Sequence, residues 1–139
     1  MINSKFYSMK TDSPLYNKSF DFAIRILDMS EFLLSDSDKF IGESPKRLSY
    51  ACKTCVKQIT RSGTSIVANV SEGTEAQSKA DLSNKNSIAL KEAKETKTWL
   101  DIMHRKEYIS TNMYESMLAD LSEILRMLGA SIRTLRKSS

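Results

Sequence analysis

The sequence predicts an all-α protein, an antiparallel up-down four-helix bundle. Three observations predict it. Apolar residues recur at three- and four-residue intervals in four separate segments, the spacing that lines one face of a helix. No stretch of useful length alternates with a period of two, as a half-buried strand would. The 139 residues include only 4 Gly and 2 Pro, too few for the tight turns of a many-stranded β protein or for a phosphate-cradling Gly-rich loop. Amphipathic helices joined by short links bury their stripes by packing antiparallel. A chain of this length matches one domain and buries about two-thirds of its unfolded surface, so its core needs neither disulfide nor metal. The expected organisation is a flexible polar leader over residues 1–15 and a bundle domain over 16–137.

The first helix is expected to start near Asn17 or Ser19, either of which can cap it. Phe20, Ala23, Ile24, Leu27 and Leu34 share one face, and Asp21 and Arg25, four apart, can pair on the outside. Phe22, Ile26, Met29, Phe32 and Leu33 form a second apolar set. A helix apolar around much of its circumference has two partners, here its own bundle and a neighbouring subunit. Ser35–Asp38 ends this helix, and Phe40–Gly42 forms a connector.

The second helix opens with Ser44 as cap and Pro45 at its first position. Leu48, Cys52, Cys55, Val56, Ile59, Gly63, Ile66, Val67 and Val70 continue without a break, and Gly73 is the expected stop. Gly63 inside the stripe costs about 1 kcal/mol relative to Ala, which a close helix–helix approach would explain. Ser78 caps the third helix with Asp81 three residues on. Leu82, Ala89, Ala93, Thr96, Leu100 and Met103 line its face, Trp99 flanks it, and His104–Tyr108 is the turn. Ser110 or Thr111 caps the fourth helix, whose stripe runs from Tyr114 to Leu135.

Chemistry-bearing clusters are sparse. One His and two Cys fall short of the roughly four N or S ligands of an all-protein zinc site. Cys52 and Cys55 have CxxC spacing, but both fall on the apolar face in mid-helix, away from the helix N-terminus that activates a redox thiol. They are two core cysteines. Glu92 and Glu95 lie beside Trp99, yet a di-iron bundle needs Glu-x-x-His pairs, and the chain has none. Ion pairing across helices, for example with Arg61, is the economical reading. No Ser or Cys has an identifiable partner base. No catalytic residue, metal or cofactor is expected. Met1–Lys18 is polar and lacks a signal-peptide core, and no apolar run approaches the ~20 residues that cross a membrane, so a cytoplasmic location and no membrane partner are expected.

Charge is the more informative signal. Lys and Arg number 21 against 17 Asp and Glu, a net +4. Residues 1–41 carry 5 basic and 6 acidic groups, and residues 42–139 carry 16 and 11, so the surplus belongs to the last three helices. Lys46, Lys53, Lys57 and Arg61 fall at intervals of seven, four and four, within about 80° of the helix circumference. Arg126, Arg133 and Lys137 make a second stripe on the fourth helix. Such stripes either track phosphates electrostatically or form an ordinary solvated face. No aromatic residues interleave them, so base stacking along a single strand is not indicated by the stripes.

Two longer stretches carry a resemblance. Arg61–Gly73, RSGTSIVANVSEG, and Ile88–Leu100, IALKEAKETKTWL, are similar to the two signatures of the bacterial 23S rRNA intervening-sequence proteins, a four-helix bundle family. Leu15–Phe20 resembles that family's start of helix one, and the resemblance covers about residues 15–135. Family members are similar to proteins encoded in insertions within 23S rRNA genes and were named as ribosomal proteins on that account; many others are encoded elsewhere, and the family is related to the accessory protein of diversity-generating retroelements. That relative is a homopentamer that binds nucleic acid through basic surface and partners a reverse transcriptase. The resemblance implies a homopentamer without catalysis, binding RNA (rRNA included) or DNA, or serving as a scaffold for a nucleic-acid enzyme. It marks Arg61, Asn69, Glu72, Glu92, Glu95 and Trp99 as candidates for subunit packing or inter-helix pairing. The chain departs from the pattern in its polar leader and in Cys52 and Cys55.

Overall fold

Four serines set where the four helices begin. In a computed structural model that describes residues 13–35 and 49–138, the helices are α1 (Pro14–Leu34), α2 (Tyr50–Thr74), α3 (Lys79–Arg105) and α4 (Thr111–Lys137), and no strand occurs among the described residues. Ser13, Ser49, Ser78 and Ser110 each accept a hydrogen bond from the backbone N–H three residues on, at 3.1–3.2 Å. Each thus satisfies one of the donors that a helix start leaves orphaned. α1 therefore starts earlier than Asn17 or Ser19. Pro14 occupies its first turn, where a missing N–H costs nothing, and Asn17 already donates to the Ser13 carbonyl at 3.0 Å. The Ser44–Pro45 start, the Phe40–Gly42 connector and residues 1–12 lie outside the described residues.

Paired side chains give the directions. Ser30 of α1 bonds Thr60 of α2 at 2.7 Å, and Ile26 lies against Gly63. Glu72 and Arg61 of α2 meet Lys85 and Glu95 of α3. Asn86 and Asp101 of α3 meet Ser131 and Tyr114 of α4. Arg25 and Lys18 of α1 meet Asp120 and Glu123 of α4. In every pair the numbers rise on one helix as they fall on the other, so the bundle runs up, down, up, down. α1 and α3 each pack against α2 and α4, and the diagonal pairs do not meet among the described residues.

The core takes one face of each helix. Ile59 and Ile66 of α2, Leu100 of α3, and Leu121, Ile124 and Leu128 of α4 are fully buried, as the stripes predict. α1 is the exception. Its core face is Phe22, Ile26, Met29 and Leu33, while Phe20, Ile24, Leu27 and Leu34 are 38–46% exposed. Of the face expected to point inward, only Ala23 is buried. Both sets are helically spaced, so periodicity alone does not choose between them. Ser19, an expected cap, is instead buried in mid-helix with an unpaired hydroxyl.

Gly63 explains its own cost. A Cβ there would sit 2.9 Å from Ile26 Cγ1, so glycine is what lets α1 and α2 approach. Gly73 does not stop α2, which continues to Thr74; it is buried against Leu82 and Asn86 of α3. α3 ends where Glu107 takes a left-handed φ of 61° and Tyr108 N–H reaches back to the Met103 carbonyl at 2.9 Å. No described helix is long and apolar enough to cross a membrane.

Two glycines give opposite predictions. Gly63→Ala forces a clash into the α1–α2 contact and should lower unfolding stability by about 1–2 kcal/mol. At Gly129 an added Cβ meets only the flexible end of Arg133 at 3.3 Å, so the cheaper helical backbone should dominate. Gly129→Ala should raise stability by about 1 kcal/mol. Urea denaturation of both variants checks the pair; equal effects would contradict the packing assignment.

Candidate nucleic-acid interface

Lys53 and Lys57 stand one turn apart on α2 and are exposed, because Cys52, Cys55 and Val56 between and beside them turn into the core. They border a shallow groove of about 430 Å³ between α1 and α2. Leu27, Leu34 and Val56 supply its apolar lining, and Ser30, Thr60 and Glu31 its polar part. Neither lysine has a carboxylate at ion-pair distance among the described residues. Lys46 lies outside the described residues.

Arg61 does not extend this surface. Its guanidinium turns into the α2–α3 seam, where Nη2 donates to Glu95 Oε1 at 2.5 Å and Nη1 to Glu92 Oε2 at 3.4 Å. The Arg61 bond holds the Glu95 carboxyl below the usual carboxylate range against the opposing effect of burial, and the neighbouring Trp99 side chain lowers it further. Glu72 pairs with Lys85 at 2.8 Å across the same seam. Asn69 donates to the Ser65 carbonyl one turn back, and Trp99 packs half-buried on the core. Beneath them Thr96 donates to Ser62 at 2.9 Å, with both hydroxyls fully buried. The polar residues of the two sequence signatures thus converge on one inter-helix seam.

Arg126, Arg133 and Lys137 are exposed on α4. α4 is diagonal to α2, so this stripe and the Lys53–Lys57 pair face different sides of the bundle and form no continuous patch. Cys52 and Cys55 form no disulfide and are buried in the core, and burial pushes the Cys55 thiol up. His104 lies near the end of α3, stacked on the Tyr114 ring at 4.2 Å, with its Nε2 3.1 Å from the Thr111 hydroxyl.

The α1–α4 seam escapes sequence reasoning. Arg25 does not pair with Asp21. It donates to Asp120 at 2.6 Å and to the Ser116 hydroxyl at 2.8 Å, while Lys18 holds Glu123 at 2.7 Å. Burial alone would raise Asp120, but Arg25 and Lys18 hold it below the usual range. No spacing rule reports partners about a hundred residues apart.

These depressed carboxylates fix a pH dependence. A carboxyl whose folded pKa lies below its unfolded value stabilises the fold above the ordinary carboxylate range, and that stabilisation is lost as pH falls through the folded value. Tm should therefore drop on acidification below about pH 4.5. Arg61→Gln should make the acid decline shallower by removing the Glu95 contribution, and thermal melts from pH 7 to 3 check this. An unchanged acid limb would remove the seam's electrostatic role.

Sequence and structure comparisons agree on the relationship. The family model of the 23S rRNA-intervening sequence protein matches residues 11–130. A crystal structure of a protein with unknown function from the S23 ribosomal protein family of Bacteroides thetaiotaomicron is 42% identical, with a TM-score of 0.71, over 85% of this chain and 97% of that one. No functionally curated protein matches the chain. With the family model matched over most of the chain and a solved relative 42% identical over 85% of it, the chain belongs to the 23S rRNA-intervening sequence protein family.

Proposed function

We propose that this protein is a non-enzymatic, cytoplasmic, oligomeric bundle that binds RNA, rRNA included, or DNA electrostatically, with Lys53 and Lys57 as leading contacts. The observation that carries the reading is how charge is compensated. Lys18, Arg25, Arg61, Lys85 and Lys97 each sit against a carboxylate on the bundle's surface or seams. Lys53 and Lys57 do not among the described residues, and they stand exposed side by side where a phosphate backbone can reach both. The family's link to 23S rRNA intervening sequences supports the same partner class. Binding would release counterions and so weaken steeply with salt. Arg133 and Lys137 would add a second contact on the opposite side, and Arg61 none.

The exposed stripe of α1 favours an accompanying protein contact. Phe20, Ile24, Leu27 and Leu34 align on one flank of α1 and expose more apolar surface than a helix needs against a single bundle. Phe20 and Ile24, at the end of this stripe away from the groove that Leu27 and Leu34 line beside Lys53 and Lys57, are the proposed seam between subunits of a homo-oligomer, a pentamer by analogy with the related retroelement accessory protein. If that surface instead receives a nucleic-acid enzyme such as a reverse transcriptase, the protein is an accessory scaffold.

Fluorescence anisotropy with a short structured RNA tests the first reading. Lys53→Glu with Lys57→Glu should reduce affinity at low salt at least about tenfold and lower the salt slope by about two. Wild-type protein that ignores RNA at low salt, or a double variant that binds as well, sinks it in favour of the scaffold. Light scattering tests the second: wild type should run as an oligomer, and Phe20→Asp with Ile24→Asp should yield a folded monomer. A monomeric wild type at micromolar concentration refutes the subunit seam.

A further inference from the structure

A cleft of about 760 Å³ opens at the end of the bundle where α1 and α3 begin. It lies more than three helical turns along α2 from Lys57, so it is separate from the surface proposed above. Val70, Leu82 and Met127 give it apolar walls. Its floor is polar. Asn86 is only 3% exposed, and its Nδ2 donates to Ser131 Oγ at 2.9 Å. Asn86 lines the cleft, and its side-chain bond among the described residues uses Nδ2, which leaves Oδ1 as an acceptor. Ser131 Oγ, already accepting from Asn86, retains its O–H to donate. The floor thus offers an acceptor beside a donor, held in place by the core.

Gly73 keeps this pair accessible. A Cβ there would stand 3.3 Å from Asn86 Oδ1 and 3.1 Å from Leu82, over the floor of the cleft. At the rim, Ser13 and Ser78 cap the starts of α1 and α3, and Lys79 lies beside them. Two helix N-termini and a lysine favour an anionic group at the mouth. An amide carbonyl with a free lone pair at the base of an apolar cleft can accept from a ligand donor. The volume falls within the range of small-molecule sites, about 300–1,000 Å³.

We infer that this cleft binds a mononucleotide unit. The flat base enters between the apolar walls and sets an N–H on Asn86 Oδ1 and a ring acceptor on the Ser131 hydroxyl. The phosphate stays at the rim beside Lys79 and the start of α3. The unit is either a free nucleotide or an unpaired nucleotide of a strand, and the chemistry is the same for both.

Titration of the full chain with AMP, followed by calorimetry and by amide NMR shifts, tests this. AMP should bind saturably and shift Gly73, Leu82 and Asn86. Ser131→Ala should weaken it roughly tenfold, the scale of one lost base-edge contact. Ala130→Phe, at an exposed position on the cleft mouth, should abolish it without altering Tm. Lys79→Gln should weaken AMP but leave adenosine unchanged. A short single-stranded oligonucleotide that competes with AMP assigns the unit to a strand; one that does not compete assigns it to a free nucleotide. No shift at these residues with saturating AMP and adenosine, or affinity unchanged in Ala130→Phe, overturns the site. Lys53→Glu with Lys57→Glu should leave AMP binding intact, so this test and the RNA test fail independently.

Discussion

The bundle depends on how closely α2 approaches its neighbours. Gly63 brings its backbone against Ile26 of α1, and Ser62 and Gly73 bring it against Thr96 and Leu82 of α3. α3 answers with Ala89 and Ala93, both fully buried. Where two helices meet through small residues, the axes lie close and dispersion contacts are dense. The Ser62–Thr96 bond favours this register modestly: each hydroxyl also has a carbonyl acceptor on its own helix, Ile59 and Glu92, so sliding by a turn forfeits the bond between the helices, about 0.5–1.5 kcal/mol, without stranding either group.

That register decides where charge goes. With Ser62 and Thr96 opposed, Arg61 falls beside Glu92 and Glu95, and Glu72 beside Lys85. The same rotation of α2 leaves Lys53 and Lys57 outside, facing the groove with α1. A basic stripe that looks continuous in sequence is therefore divided, with its last member neutralised in a seam and two members open to solvent. Surface ion pairs contribute little stability individually. Their larger consequence here is to remove cations from the surface that remains for a partner.

The two ends of α2 carry different opportunities. Near its start the surface is a shallow groove edged by lysines, suited to a charged, extended partner. Near its end Gly73 leaves a deeper cleft with a polar floor, suited to a small flat ligand. Both follow from the side chains that α2 lacks or turns outward, and neither requires a catalytic group.

Much of this was legible from the residues in order. The periodic stripes of α2, α3 and α4, the caps at Ser78 and Ser110, and the close approach at Gly63 are local properties, because spacing of three and four and capping chemistry act within a turn or two. The signature residues around Arg61 and Trp99 likewise mark the family without a structure. Tertiary structure decided what local rules leave degenerate. α1 has two helically spaced apolar faces, and only the positions of α2 and α4 select Phe22 and Ile26 over Phe20 and Ile24. Arg25 has a plausible neighbour four residues before it, yet its partner is Asp120 on another helix. Asn86 and Ser131, 45 residues apart, meet only because α3 and α4 pack antiparallel. The sequence by itself determined which segments are helical and, for α2, α3 and α4, which stripe belongs to the core, since those depend on neighbours along the chain. Which face meets which partner was left to the assembled bundle, because burial and pairing depend on neighbours in space.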